Sequence, residues 1–149
     1  MKVGKLLSGK TNRSEVITVE PSADVATTAS LLMKHSIGAL PVMGESGPVL
    51  GLVSERDIVR AVHDRTDKLK VLTARDIMTK PAPICAIDDP LPELMAYMTR
   101  RRIRHLVVMA GDRIEGIVSV GDLVEYRMRE LETEAGVLRD YVIAQRAQG

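Results

Sequence analysis

Two short stretches pair a hydroxyl with a carboxylate three residues further on. Residues 51–57 read Gly-Leu-Val-Ser-Glu-Arg-Asp, and residues 116–122 read Gly-Ile-Val-Ser-Val-Gly-Asp. In each, two apolar residues (Leu52 and Val53, Ile117 and Val118) read as the end of a buried strand, and Ser54 or Ser119 opens a helix. Ser-x-x-Asp ahead of an apolar run is close to a capping box, in which the hydroxyl accepts a backbone N–H left unpaired at the helix start. The same geometry suits a nucleotide. A helix N-terminus attracts phosphate, and a carboxylate beside it can accept hydrogen bonds from the two hydroxyls of a ribose. The two uses are compatible, and the rest of the chain has to decide between them.

Other groups carry less. Residues 4–11, Gly-Lys-Leu-Leu-Ser-Gly-Lys-Thr, satisfy the phosphate-loop pattern of many NTPases, and residues 84–88 resemble the apolar strand ending in an acid, Asp88, that such enzymes use for Mg²⁺. A phosphate loop follows a strand and opens a helix. Here only three residues precede it, and β-branched residues follow at 16–19. Arg100, Arg101, Arg102 and Arg104 form the densest positive run, but no aromatic residues interleave with them to stack on bases, so they read as a solvated helix end. His63-Asp64 has no nucleophile placed with it. Cys85 lies in a predicted buried strand as a small core residue.

Composition narrows the class. The chain has 149 residues, enough for one domain or two small ones. Aromatic residues are 2% of it, with no Trp or Phe, so the core must be aliphatic. Basic and acidic side chains number 21 and 20, leaving no overall field for nucleic acid or membrane. No apolar run approaches the roughly 20 residues of a membrane span, and the opening residues are too short and interrupted for a secretory signal. A cytoplasmic location is expected. One cysteine and three scattered histidines make neither an internal disulfide nor a zinc pattern.

The elements that must position the two Ser-x-x-Asp segments repeat as well. A short helix over 3–8 is followed by a strand over 16–19 and a helix over 24–35 with Val25, Ala29, Leu32 and Met33 inward. A short strand over 39–43 has Pro41 marking an edge or strand end, and a further strand covers 49–53. The helix over 55–63 should turn Ile58, Val59 and Val62 inward. Residues 63–70 are polar and read as a linker. The order then restarts: a short helix within 71–78, a strand over 84–87, and a helix with Pro90 at its first position and Leu91, Leu94, Met95 and Met98 inward. Strands over 106–109 and 114–118 follow, and a last helix leaves Ser119. Gly51 aligns with Gly116, and Ile37-Gly38-Ala39-Leu40-Pro41-Val42 with Ile103-Arg104-His105-Leu106-Val107-Val108. Units this small rarely hold together alone. Two packed about a pseudo-two-fold axis would enclose two equivalent clefts.

The expected fold class is therefore α/β (α+β): tandem β-α-β-β-α repeats about that axis, with an extended C-terminal helix. Expected boundaries are a first repeat over 2–63, a linker over 64–70, a second repeat over 71–126 and a helical extension over 127–149. In that extension Val124, Met128, Leu131, Ala135, Leu138 and Val142 alternate steps of four and three, a coiled-coil-like seam. It should pack on its own module or on a partner subunit, and Gly136 is expected to weaken or break it.

Leu-Pro-Val at 40–42, His-Leu-Val-Val at 105–108 and the paired Gly-x-x-Ser-x-x-Asp segments, in register twice, resemble a pair of CBS domains. Ser-Glu-Arg-Asp at 54–57, Asp-Ile-Met-Thr at 76–79 and Ile-Arg-His at 103–105 further resemble small stand-alone CBS-pair proteins. The resemblance covers nearly the whole chain. It implies a non-catalytic sensor of an adenine nucleotide (AMP, ADP or ATP, with NAD or S-adenosylmethionine as related ligands) that forms a homodimer and acts on a regulated protein. It implies ribose contacts at Asp57 and Asp122 and phosphate-side hydroxyls at Ser54 and Ser119. Ile17, Thr18, Pro83 and Ile84 would flank adenine, and Gly38, Ala39, Arg104 and His105 would line the cleft. No metal, obligatory cofactor, nucleic acid or membrane is expected. The alternatives are a ligand-independent interaction module of the same fold and a small NTPase.

Overall fold

The computed structural model describes residues 1–9 and 16–148. Helix α1 (Val3–Ser8) is followed by α2 (Val25–His35), strands β1 (Ala39–Val42) and β2 (Gly51–Ser54), and α3 (Glu55–Asp64). A 3-10 turn (Thr66–Lys68) lies in the linker. Then come α4 (Ala74–Ile77), β3 (Ile84–Ala86), α5 (Leu91–Arg101), β4 (His105–Ala110), β5 (Arg113–Ser119) and α6 (Val120–Gln148). β1 and β2 are antiparallel; in the second sheet β4 pairs parallel with β3 and antiparallel with β5. The expected α/β fold, two repeats and a long last helix, is the one observed.

The first strand of the first repeat shrinks to a single bridge, Val19 to Val42. Pro41 explains it. Val19 N–H donates to the Pro41 carbonyl and Met43 N–H to the Val19 carbonyl, both at 3.0 Å. The next rung of a parallel ladder would need an N–H at position 41, which proline lacks. The aligned residue of the second repeat is Val107, whose N–H donates to the Pro83 carbonyl at 2.9 Å, and there the ladder extends into β3.

Inward faces differ from expectation in α2 and α3. In α2, Met33 is 81% exposed and Thr28 is buried, its hydroxyl donating to the Asp24 carbonyl at 2.9 Å. In α3 the buried residues are Asp57 and Ala61, with Ile58 half-buried, whereas Val59 and Val62 face solvent. The cap at Ser54 fixes the start of α3 and turns Asp57, rather than its apolar neighbours, toward the body. In α5, Pro90 stands at the N-cap, one position before the expected one, while Leu91, Leu94 and Met98 are buried and Met95 is half-buried against them. The Arg run does close a helix: Arg100 and Arg101 occupy the last turn of α5, and Arg102 caps it in the left-handed conformation, φ 53°. Cys85 is buried; burial, with the Asp89 carboxylate nearby, pushes its thiol up to about 11.

Packing crosses the order of the chain. Val3, Leu6 and Leu7 of α1 belong to the core built by α5, β4 and β5, and Ala74 and Ile77 of α4 join the core built by α2, β1 and β2. The crossings are equivalent. Val3 N–H donates to the Asp89 carbonyl (3.0 Å) and Ala74 N–H to the Ala23 carbonyl (2.8 Å). The end of each short helix then straps over a strand at a glycine. A Cβ at Gly51 would lie 2.6 Å from Met78 Sδ and 2.7 Å from the Thr79 carbonyl oxygen, and one at Gly116 would lie 3.1 Å from Leu7 Cδ2. Gly51→Val should therefore cost about 1–3 kcal/mol, the usual penalty of overpacking, read as a lowered midpoint in urea; an unchanged midpoint would show that the strap gives way. Between the sheets, Ala39 and Leu52 of the first repeat meet Val107 of the second, with Ile114 and Ile117 against them. This aliphatic layer lies along the pseudo-axis.

α6 runs unbroken through Gly136, where a Cβ would meet nothing. One glycine costs about 1 kcal/mol relative to alanine, too little to end a helix of 29 residues. Within this chain the seam is not covered: Val124, Met128, Leu131, Leu138 and Val142 are all exposed. Among the described residues no helix is long and apolar enough to cross a membrane.

Candidate functional site

Both Ser-x-x-Asp segments form the reciprocal cap. Ser54 leaves β2 in extended conformation, and its Oγ accepts from Asp57 N–H at 3.3 Å while Ser54 N–H donates to Asp57 Oδ2 at 2.8 Å. In the second repeat Ser119 Oγ accepts from Asp122 N–H at 3.1 Å, and Ser119 N–H donates to Asp122 Oδ2 at 2.8 Å. The residues just before β1 and β4 hold the helix starts alike: Glu55 N–H donates to the Gly38 carbonyl (3.0 Å) and Val120 N–H to the Arg104 carbonyl (2.9 Å).

The two carboxylates differ in burial. Asp57 is 5% exposed. Its Oδ2 also accepts from the Ser54 hydroxyl at 3.0 Å, its Oδ1 accepts from the Thr79 hydroxyl at 3.2 Å, and Arg60 Nη1 lies 3.5 Å from Oδ1. Asp122 is half-buried. A ribose at Asp57 has to share or displace the Thr79 hydroxyl. Thr79 is the partner of Asp57 that sequence reasoning missed. It is fixed by two backbone bonds with Leu52, 2.9 and 3.0 Å. No local pattern in the sequence marks it as such; it reaches Asp57 because the chain after α4 pairs with β2.

Near the pseudo-axis the unlike pairs Gly38-Ala39 and Arg104-His105 fit one another. A Cβ at Gly38 would lie 2.9 Å from His105 Nε2 and 3.5 Å from Glu55 Oε1. The imidazole therefore occupies space left by the missing side chain, at the N-terminus of α3. Arg104 is exposed, and Ala39 is buried.

The strand registers put Ala39 beside Ser54 and His105 beside Ser119 at one end of the hairpins. A cavity of about 590 Å³ opens at the other end, between the two hairpin turns, lined by Thr18, Met43, Val49, Arg113 and Ile114 among others. Thr18 is the only expected site residue that lines it. Ile17 and Pro83 are half-buried and Ile84 is 58% exposed.

The phosphate-loop pattern does not form a loop where it is described. Gly4 to Ser8 lie within α1, and Asp88 is an exposed residue paired with Lys2 at 3.7 Å. Lys10 and Thr11 lie outside the described residues. His63 Nδ1 and Asp64 Oδ1 are 2.7 Å apart on the surface. Among the described residues no group of three or more His, Cys, Asp or Glu could hold a metal ion.

Comparison with known proteins bears on these repeats directly. The CBS domain family matches residues 10–64 and again 74–129. The crystal structure of a CBS-domain-containing protein from Agrobacterium tumefaciens is 35% identical, covers 85% of this chain and 99% of its own, and superposes with a TM-score of 0.78. The CBS domain pair of protein MJ0100, solved in complex with 5′-methylthioadenosine and S-adenosyl-L-methionine, is 25% identical over 87% of this chain and 98% of its own, with a TM-score of 0.76. An uncharacterized 33.4 kDa protein of the Thermofilum pendens ribosomal RNA operon is 34% identical over 108 residues, 72% of this chain. This chain spans 35% of that relative's length. Each family match contains one of the reciprocal Ser-Asp caps, and with the two repeats packed about their axis the chain belongs to the CBS domain family, as a tandem pair.

Proposed function

We propose that this CBS pair is a regulatory, non-catalytic module that binds an adenine nucleotide (AMP, ADP or ATP) between its repeats and acts, as a cytoplasmic homodimer, on a regulated protein. NAD and S-adenosylmethionine are the related ligands. The observation that carries the reading is the twofold presence of a carboxylate clamped at a helix N-terminus. Asp57 and Asp122 accept ribose hydroxyls. Ser54, Ser119 and the helix starts face the phosphates. Ile17, Thr18, Pro83 and Ile84 flank the base. The two ligands in the MJ0100 structure share an adenosine group, which supports this class of ligand.

Arg104 supplies the phosphate preference. It is exposed beside the pseudo-axis, cannot lose its proton near neutral pH and offers a fork of donors. Arg104→Ala should weaken AMP binding by roughly tenfold or more, since a hydrogen bond to a charged group is worth about 1.5–3 kcal/mol. Adenosine binding should change far less. Calorimetry with both ligands decides it, and equal losses would mean that Arg104 shapes the pocket and reads no phosphate.

The saturated carboxylate of Asp57 favours a second reading for the first repeat, in which its cap is structural and the pair serves as a ligand-independent interaction module. Titration with AMP separates the two, because the interaction module gives no saturable signal.

A further inference from the structure

α6 leaves the body of the chain after its second turn. Leu123 is 3% exposed and Tyr126 packs on the same core. Beyond them Met128 is 57% exposed, Leu131 47%, Leu138 64% and Val142 41%. At 1.5 Å per residue a helix of this length reaches about 44 Å. The apolar residues step by four and three, which places them on the narrow stripe that a second helix covers in a two-stranded coil.

The flanking charges say what covers it. With Met128, Ala135 and Val142 at the a positions and Leu131 and Leu138 at d, the g positions hold Arg127 and Glu134 and the e positions hold Glu132 and Arg139. In a parallel pair each g residue meets the e residue five positions on in the other helix. Arg127 then faces Glu132, and Glu134 faces Arg139. Both contacts join opposite charges, and a two-fold axis forms each twice. Arg127 also bonds Glu130 within its own helix and has further donors to offer. Ala135 keeps the middle of the seam narrow.

We propose that α6 pairs in parallel with α6 of a second copy of this chain along the seam from Met128 to Val142. This rests on the dimeric part of the reading above and is independent of nucleotide. The test is sedimentation of the full chain. The wild type should be a dimer. Leu131→Lys with Leu138→Lys should raise its dissociation constant at least about 100-fold, with the thermal midpoint of the CBS body unmoved, because both side chains are exposed. Glu134→Arg alone and Arg139→Glu alone should each weaken the dimer, and the two together should restore it. Residues 134 and 139 are five apart and do not face each other within one helix, so rescue reports contact between chains. A dimer unaffected by the two lysines would overturn the proposal, as would charge reversal without rescue. A monomeric wild type that still binds AMP would overturn the dimer and leave the nucleotide reading standing.

Discussion

A chain lacking residues 1–8 should lose the second repeat first. Those residues stand at the start of the first repeat in sequence, yet Val3, Leu6 and Leu7 are buried in the core of the second, at 0%, 8% and 6% exposure. Backbone bonds tie them there as well: Leu91 N–H donates to the Met1 carbonyl at 2.7 Å and Gly4 N–H to the Ile87 carbonyl at 2.9 Å. Full burial of one such aliphatic side chain is worth about 1.5–3 kcal/mol. Three approach the whole stability of a small domain, about 5–15 kcal/mol. In amide exchange, protection at 106–109 should collapse before protection at Leu40, Val42 and Val53, whose core is closed by α4 instead. A truncated chain that keeps wild-type exchange across β4 would show that α1 merely covers a finished core.

The second large effect is on binding. Asp57→Asn combined with Asp122→Asn should weaken AMP by roughly 10- to 150-fold at each site, since each loses a charged acceptor worth about 1.5–3 kcal/mol. The single changes should differ in kind. Asp57 also holds Thr79 and Arg60 to the end of β2, so its amide places a donor among donors and lowers stability too. Asp122 is half-buried, and its replacement should cost affinity with the smaller loss of stability, because an amide oxygen can still accept from Ser119 N–H. Calorimetry and thermal unfolding on the same samples separate the two effects. Wild-type affinity in Asp122→Asn would reduce its carboxylate to a helix cap.

The repeat, the fold class and both caps were legible because they rest on local rules: a hydroxyl and a carboxylate at fixed spacing, a change of apolar period, a Pro or Gly at a boundary. What was not legible depends on partners distant in sequence. Residues 16–19 have strand composition, but whether they extend a ladder is decided by an N–H on residue 41. The α3 face was misjudged because Val59 and Val62 are the more apolar choice, whereas the cap sets the rotation and buries Asp57. That Gly38 stands where the second repeat has Arg104 is visible in the sequence; that the missing side chain makes room for the His105 ring is visible only in space. Thr79 could be found only once α4 had carried it to β2. The seam on α6 was legible as a period, and its exposure in this chain follows from the distance α6 travels beyond Tyr126.

The central claim is that adenine nucleotide binds between the repeats, and native mass spectrometry of the full chain with AMP tests it most directly. The account predicts species heavier than the bare protein by whole numbers of AMP, at most two per chain, on a dimeric assembly. The same experiment on Asp57→Asn/Asp122→Asn should give the bare mass. A wild-type chain that stays bare in AMP, ADP and ATP alike, while remaining folded, would contradict it.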